Sequence, residues 1–127
     1  MYKAILPLLG FEEIQEIKMN YVDEYFSTLI LEKRDNLNIN IVNITYFKDK
    51  NMDLNFTIDD ETLEKLHIHE VNDFNIFFCV VIQTPIEDSI VNLAAPILIN
   101  EKQKLLGQYV IKDRIPKLFT TLNSNIL

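Results

Sequence analysis

The sequence predicts a mainly β fold, a small antiparallel β-barrel-like domain with one short α-helix. Three observations point there. Apolar residues recur mostly with a period of two, no alternating βα units occur, and a single short stretch has helical character. At 127 residues, 48% of them hydrophobic, the chain fits one domain with a real core. No repeat or linker divides it, so residues 1–127 are read as one unit.

Phe26–Leu31 is the first clear strand candidate, closed by the turn-like Lys33-Arg34-Asp35-Asn36. Leu37–Ile41 then alternates strictly, as a strand does with one face in the core and one in water. At Val42 the phase slips by one residue, and Val42, Ile44 and Tyr46 carry the bulk, which predicts a bulge or sharp bend. Phe74–Ile82, rich in aromatic and β-branched residues, reads as a buried central strand. Ile90–Ala94 and Ile97–Ile99 flank Pro96, which cannot donate to a ladder and so favours an edge or a bulge. Gln108–Ile111, after Gly107, is expected to form a hairpin with the Ile97 segment, turning through Asn100–Leu106. These segments make five to seven strands in all. The helix is Asp59–Leu66, which opens on an N-cap residue, keeps acids in its first turn and sets Leu63 and Leu66 on one side.

Charge is unevenly placed. Residues 1–70 carry 14 acidic and 7 basic side chains, whereas residues 71–127 carry 5 of each. The net charge of −7 therefore lies wholly in the first part and opposes direct nucleic-acid binding, which needs a basic face. Solubility alone accounts for most acidic surfaces, yet such a field also speeds encounter with a basic partner. The longest apolar run, around Phe77–Ile82, is far short of the roughly 20 residues that span a bilayer. Met1–Pro7 lacks the apolar stretch of a signal peptide, and the lone Cys79 permits no intrachain disulfide. A cytoplasmic protein is expected.

Little in the chain asks for catalysis. With only Gly10 and Gly107, no phosphate-cradling loop can be built. His67 and His69, next to Glu70, would share a face if extended, but further metal ligands at sensible spacing are missing, so they read as surface residues. Cys79 sits among Phe77, Phe78, Val80 and Val81 and reads as an inert core thiol. Adjacent carboxylates such as Glu12/Glu13 and Glu87/Asp88 are explained by caps and solvated faces. No catalytic residue, cofactor or metal is assigned.

Three stretches in order resemble one known family. Leu6-Pro7-Leu8-Leu9-Gly10-Phe11-Glu12 is similar to the opening Gly-Phe-Glu motif of the flagellar assembly factor FliW family. Val91-Asn92-Leu93-Ala94-Ala95-Pro96 followed by Ile97-Leu98-Ile99-Asn100 resembles its signature, and Gly107–Ile111 resembles the strand after it. The acidic helix sits where that family has one. Coverage runs from about Leu6 to Leu118; Lys50–Leu54 departs from the family's proline–aspartate–tyrosine step, and the tail from 120 to 127, unmatched, is a candidate for mobility.

The resemblance implies a non-enzymatic regulator that binds newly made flagellin, near its C-terminal helical region, and the RNA-binding translational regulator CsrA in competition. Bound CsrA would no longer repress translation of flagellin mRNA. On that basis Asp53, Asp59, Asp60, Glu61 and Glu64 are candidates to face the basic CsrA. Tyr46, Phe47, Asn92 and Pro96 are candidates for flagellin, the aromatics as exposed anchors at a strand end and Asn92 as an amide beside an incomplete ladder. Each has a plainer alternative. Acids cap and solubilise a helix, aromatics close a barrel end, and Asn92 and Pro96 build a corner. A β-barrel binding module for another peptide or small ligand is the alternative reading.

Overall fold

A computed structural model describes residues 1–115 and 118–122. Nine strands occur among them: β1 Tyr2–Leu6, β2 Glu16–Tyr21, β3 Phe26–Leu31, β4 Leu37–Asn43, β5 Asn75–Val81, β6 Ile90–Asn92, β7 Ile97–Asn100, β8 Leu105–Gln108 and β9 Phe119–Thr121. Two short helices, α1 Thr45–Lys48 and α2 Asp60–Lys65, complete the set with three single 3-10 turns.

The strand order β4-β3-β2-β1-β8-β7-β5, with β4 also paired to β5, closes a seven-stranded barrel. The mainly β class expected from the periodicity therefore holds. All barrel pairings are antiparallel except β1 with β8, which are parallel. β6 and β9 lie outside the ring and continue from the C-terminal half of β5 as a three-stranded ribbon. Closure removes the open sheet edges that the barrel strands would otherwise expose.

Residues that alternate in sequence alternate across this wall. Ile41, Phe77, Ile97 and Ile99 point into the barrel with Ile17, Leu29, Leu31 and Leu106. Val42, Phe78 and Val80 point out, where Phe47 of α1 and Val91, Leu93 and Leu122 cover them. A third cluster, Leu66, Ile68, Leu98 and Tyr109, lies with Leu63 under α2. The bulge or bend expected at Val42 is absent: β4 pairs with β3 in unbroken register from Leu37 to Val42, and Ile41 and Val42 are both fully buried because both faces of the wall are covered there.

Nine strands and two short helices stand among the described residues where five to seven strands and one helix were expected, β1, β2 and β9 having had no counterpart in the sequence reading. Two further details also differ. β8 begins at Leu105, before Gly107, and the β7–β8 turn is confined to residues 101–104. Past Gln108 the ladder degenerates because Pro96 has no N–H to offer; Tyr109 N–H donates to the Pro96 carbonyl (2.8 Å) without a return bond. The second difference is α1, a helical turn where a strand end was expected. Gly107 has a packing reason, since a Cβ there would come 2.6 Å from Leu6 Cβ on the parallel neighbour β1. Of the tail, Thr120 and Thr121 belong to β9 and the Leu122 side chain is buried, while residues 123–127 lie outside the described set.

Candidate partner-binding surfaces

The barrel wall splits where β4 and β5 part. Their pairing covers only Ile41↔Cys79, Val42↔Phe78 and Asn43↔Phe77. Before Ile41, β4 stays with β3, and after Cys79, β5 pairs with β6 instead. The inner face of the β5–β6–β9 ribbon is thereby exposed rather than folded into the core. Val81 (61% exposed), Ile90 (44%) and Phe119 (57%) lie on it, with Leu37 and Ile39 of β4 opposite.

The resulting cleft has a volume of about 520 Å³. Apart from apolar groups its walls carry the amides of Asn38, Asn40 and Asn92, and no charged side chain among the described residues. Backbone direction adds to this. Asn43 N–H donates to the Tyr25 carbonyl on the β3 side (2.7 Å) and Ile44 N–H to the Ile76 carbonyl of β5 (2.9 Å). Alternation then turns the backbone groups of Asn38 and Asn40 toward the cleft. Asn92 stands at the junction with a second hollow of about 280 Å³, lined by Leu9, Phe11 and Gln108. Large apolar exposure of this extent is the usual mark of an interaction surface.

The candidate residues for flagellin divide. Asn92 lines the cleft, its Oδ1 accepting from Ala94 N–H (2.8 Å) while its amide N–H groups have no partner among the described residues. Pro96 is buried at the β6–β7 corner and offers no surface. Phe47, expected as an exposed anchor, is only 2% exposed and packs edge-on against Phe78 with ring centres 6.0 Å apart. Because α1 folds back over β5, that ring seals the outer core. Tyr46 is half-buried; its ring meets Tyr25, Phe26 and Phe47 edge-on and its hydroxyl donates to the Leu122 carbonyl (3.0 Å). The aromatics close one end of the outer core, away from the residues lining the cleft.

The acidic candidates lie on and before α2. Asp60, Glu61 and Glu64 are exposed, Glu61 paired with Lys65 one turn on (3.3 Å). Asp53 is exposed and accepts from Asn55 Nδ2 (2.9 Å). Asp59 is different. Its Oδ1 accepts from Thr62 N–H as the N-cap (2.9 Å) and its Oδ2 from Lys112 Nζ (2.5 Å). The Lys112 hydrogen bond and then the Thr62 one hold its carboxyl well below the usual carboxylate range. Asp59 thus serves to place α2, and its charge is already matched.

Sequence reading missed what fixes α2 to the barrel. Asn100, buried on β7, donates from Nδ2 to the Leu66 and His67 carbonyls (2.8 and 3.2 Å) at the helix C-terminus. Tyr109 Oη donates to the Thr57 carbonyl (3.2 Å) just before the helix. No local pattern announces such pairings, which bridge dozens of residues. His67 and His69 are both exposed, His67 in the left-handed region (φ 56°) at the helix end. Cys79 is half-buried, and burial pushes its thiol up to about 11. No helix among the described residues is long and apolar enough to cross a membrane.

A closed seven-stranded barrel with a splayed ribbon and a short acidic helix defines a compact mainly β scaffold. The model of the family described as FliW protein matches residues 3–120. The chain is 32% identical over 115 residues to "Flagellar assembly factor FliW 1" of Wolinella succinogenes, covering 89% of this chain and 87% of that one. It is 34% identical over 110 residues to "Flagellar assembly factor FliW" of Oceanobacillus iheyensis, covering 87% and 73%. A solved structure titled "Crystal structure of the flagellar assembly factor FliW" superposes with a TM-score of 0.82 at 24% identity, over 94% of this chain and 83% of that one. The chain belongs to the FliW family.

Proposed function

We propose that this chain is a flagellar assembly factor that works by occupancy: it binds flagellin and, when free of flagellin, captures CsrA and relieves its repression of flagellin mRNA translation. The observation that carries the reading is the uncharged apolar cleft between β4 and the β5–β6–β9 ribbon. An amphipathic helix of flagellin, from its C-terminal helical region, lays its apolar stripe on Leu37, Ile39, Val81, Ile90 and Phe119, and the flanking amides bond its polar edge. Burial of those side chains supplies the affinity, at roughly 25 cal/mol per Å² before the costs of association.

For CsrA, the exposed acids Asp53, Asp60, Glu61 and Glu64 supply attraction to a basic partner; none of them lines the cleft, so the two partners exclude one another through the overlap of their bulk beyond these contact residues. A partner that occupies the protein lowers the concentration left for the other, so export of flagellin releases the factor. No bond is made or broken in this cycle, and it takes place in the cytoplasm where flagellin and CsrA are made.

The test is a calorimetric titration of purified flagellin and CsrA, each alone and then in competition. The reading expects both to bind and flagellin to reduce the apparent affinity for CsrA. Failure of both to associate with the protein contradicts it.

A further inference from the structure

A second groove, sharing no lining residue with the cleft, lies between α2 and the segment that precedes it. Residues 52–58 alternate between half-buried Met52, Leu54, Phe56 and Ile58 and exposed Asp53, Asn55 and Thr57, as an extended chain does. Yet the segment belongs to no sheet. One edge is held: Thr57 N–H donates to Asp113 Oδ2 (2.6 Å), and Thr57 C=O accepts from Tyr109 (3.2 Å). Alternation turns the backbone groups of Leu54, Phe56 and Ile58 to the opposite edge, where they have no hydrogen-bond partner among the described residues. That edge borders a groove of about 520 Å³ whose floor is Ile44, Leu63, Phe74 and Ile76 and whose far rim carries Glu70.

We infer that this edge is a template for strand addition and that its occupant is an extended cationic segment of a partner protein, with apolar and basic residues alternating. The groove dictates the alternation: side chains pointing inward meet an apolar floor, and those pointing outward pass Glu70, with Lys48 the one Lys or Arg side chain among the described residues that line it. Charge sets the sign: of the six acids at residues 53–70, Asp59 and Glu61 pair with Lys112 and Lys65, and the remaining Asp53, Asp60, Glu64 and Glu70 outnumber Lys48. Main-chain hydrogen bonds to Leu54, Phe56 and Ile58 set the register. This deepens the reading of the acidic surface given above and rests on it, replacing a diffuse attraction with a defined mode of binding.

The probe is an acetylated and amidated Lys-Val repeat of about eight residues, the length of an ordinary strand, titrated into isotopically labelled protein. Two further peptides carry N-methyl groups on every valine or on every lysine, which removes the N–H groups of one edge and keeps the charge. The expected result is amide shift changes centred on Leu54, Phe56 and Ile58, with affinity falling about tenfold or more for one methylation pattern only. Equal binding of both methylated peptides overturns strand addition and leaves only charge attraction. No binding by the parent peptide overturns the proposal as well. Parent-peptide binding that obeys the methylation rule while CsrA fails to bind the protein supports the groove and removes CsrA as its partner.

Discussion

Asn100 of β7 donates from Nδ2 to the Leu66 carbonyl at 2.8 Å, so a barrel strand terminates the acidic helix and sets where its charges point. Its Oδ1 also accepts from Gln103 N–H (3.2 Å) in the β7–β8 turn, which ties helix, strand and turn through one buried amide. Replacement Asn100→Leu leaves the buried Leu66 carbonyl unpaired and should cost about 1–3 kcal/mol in denaturant unfolding. Amide exchange in α2 should speed up by more than in β3, because the helix loses its anchor while the barrel keeps its ladders.

Gly107 offers a second stability test. An added Cβ meets Leu6 Cβ at 2.6 Å and Leu6 N at 3.0 Å, where the β1–β8 register shifts between Ala4 and Leu6, so relief requires the β1 backbone to move. Gly107→Ala is expected to cost roughly 1–3 kcal/mol, the range for overpacking, read as a lowered urea midpoint at unchanged slope.

Asp59 makes stability depend on pH in one direction. Its folded carboxyl titrates below the unfolded one because of Lys112 and Thr62. Its contribution is therefore complete above the unfolded value of about 4 and is lost as pH falls through the lower folded value. Asp59→Ala should lower the melting temperature at pH 7, and the gap from the parent protein should narrow on acidification. A gap independent of pH would show that the carboxylate charge is not involved.

Cys79 borders the cleft with its thiol raised to about 11 by burial. At pH 8 only about 0.1% is then thiolate, so alkylation should be slow in the native protein and fast in urea. Alkylation at a model-thiol rate under native conditions would mean that the cleft floor opens far more than its packing implies.

Charge reversal of Asp60, Glu61 and Glu64 together, each to Lys, should weaken CsrA binding and flatten its salt dependence. Asp60 and Glu61 lie in the first turn of α2 and Glu61 pairs with Lys65, so reversal also weakens the helix; the neutral variant Asp60→Asn, Glu61→Gln, Glu64→Gln, which should weaken CsrA binding by less and in the same direction, separates loss of charge from loss of helix. Unchanged affinity would remove this face from the CsrA interface.

Much of the architecture was legible because it is written in local patterns. The strand at Leu37–Ile41 and the Asp59 cap each correspond to an observed feature, whereas the phase change at Val42 reflects a strand covered on both faces and not the bulge it suggested. What escaped depends on distant pairing. Val81, Ile90 and Phe119 have the residue types of core positions, and only the departure of β5 from β4 exposes them. Phe47 went the other way, since a strand end became a helical turn and carried the ring inward. The strap at residues 52–58 has a strand's alternation with no partner strand, a distinction no periodicity can make. Of the residues assigned to flagellin by resemblance, Asn92 alone lies in the cleft; Pro96 and Phe47 are buried beneath the surface and Tyr46 is spent on the tail.

The cleft is tested most directly by titrating flagellin's C-terminal helical region into the protein and into a Val81→Asp, Phe119→Asp double variant. Both positions are more than half exposed, so stability should change by no more than about 0.5 kcal/mol for each. Flagellin affinity should fall by at least about tenfold, or 1.4 kcal/mol, while CsrA affinity is retained. Undiminished binding of flagellin by a folded double variant would contradict the assignment of the cleft.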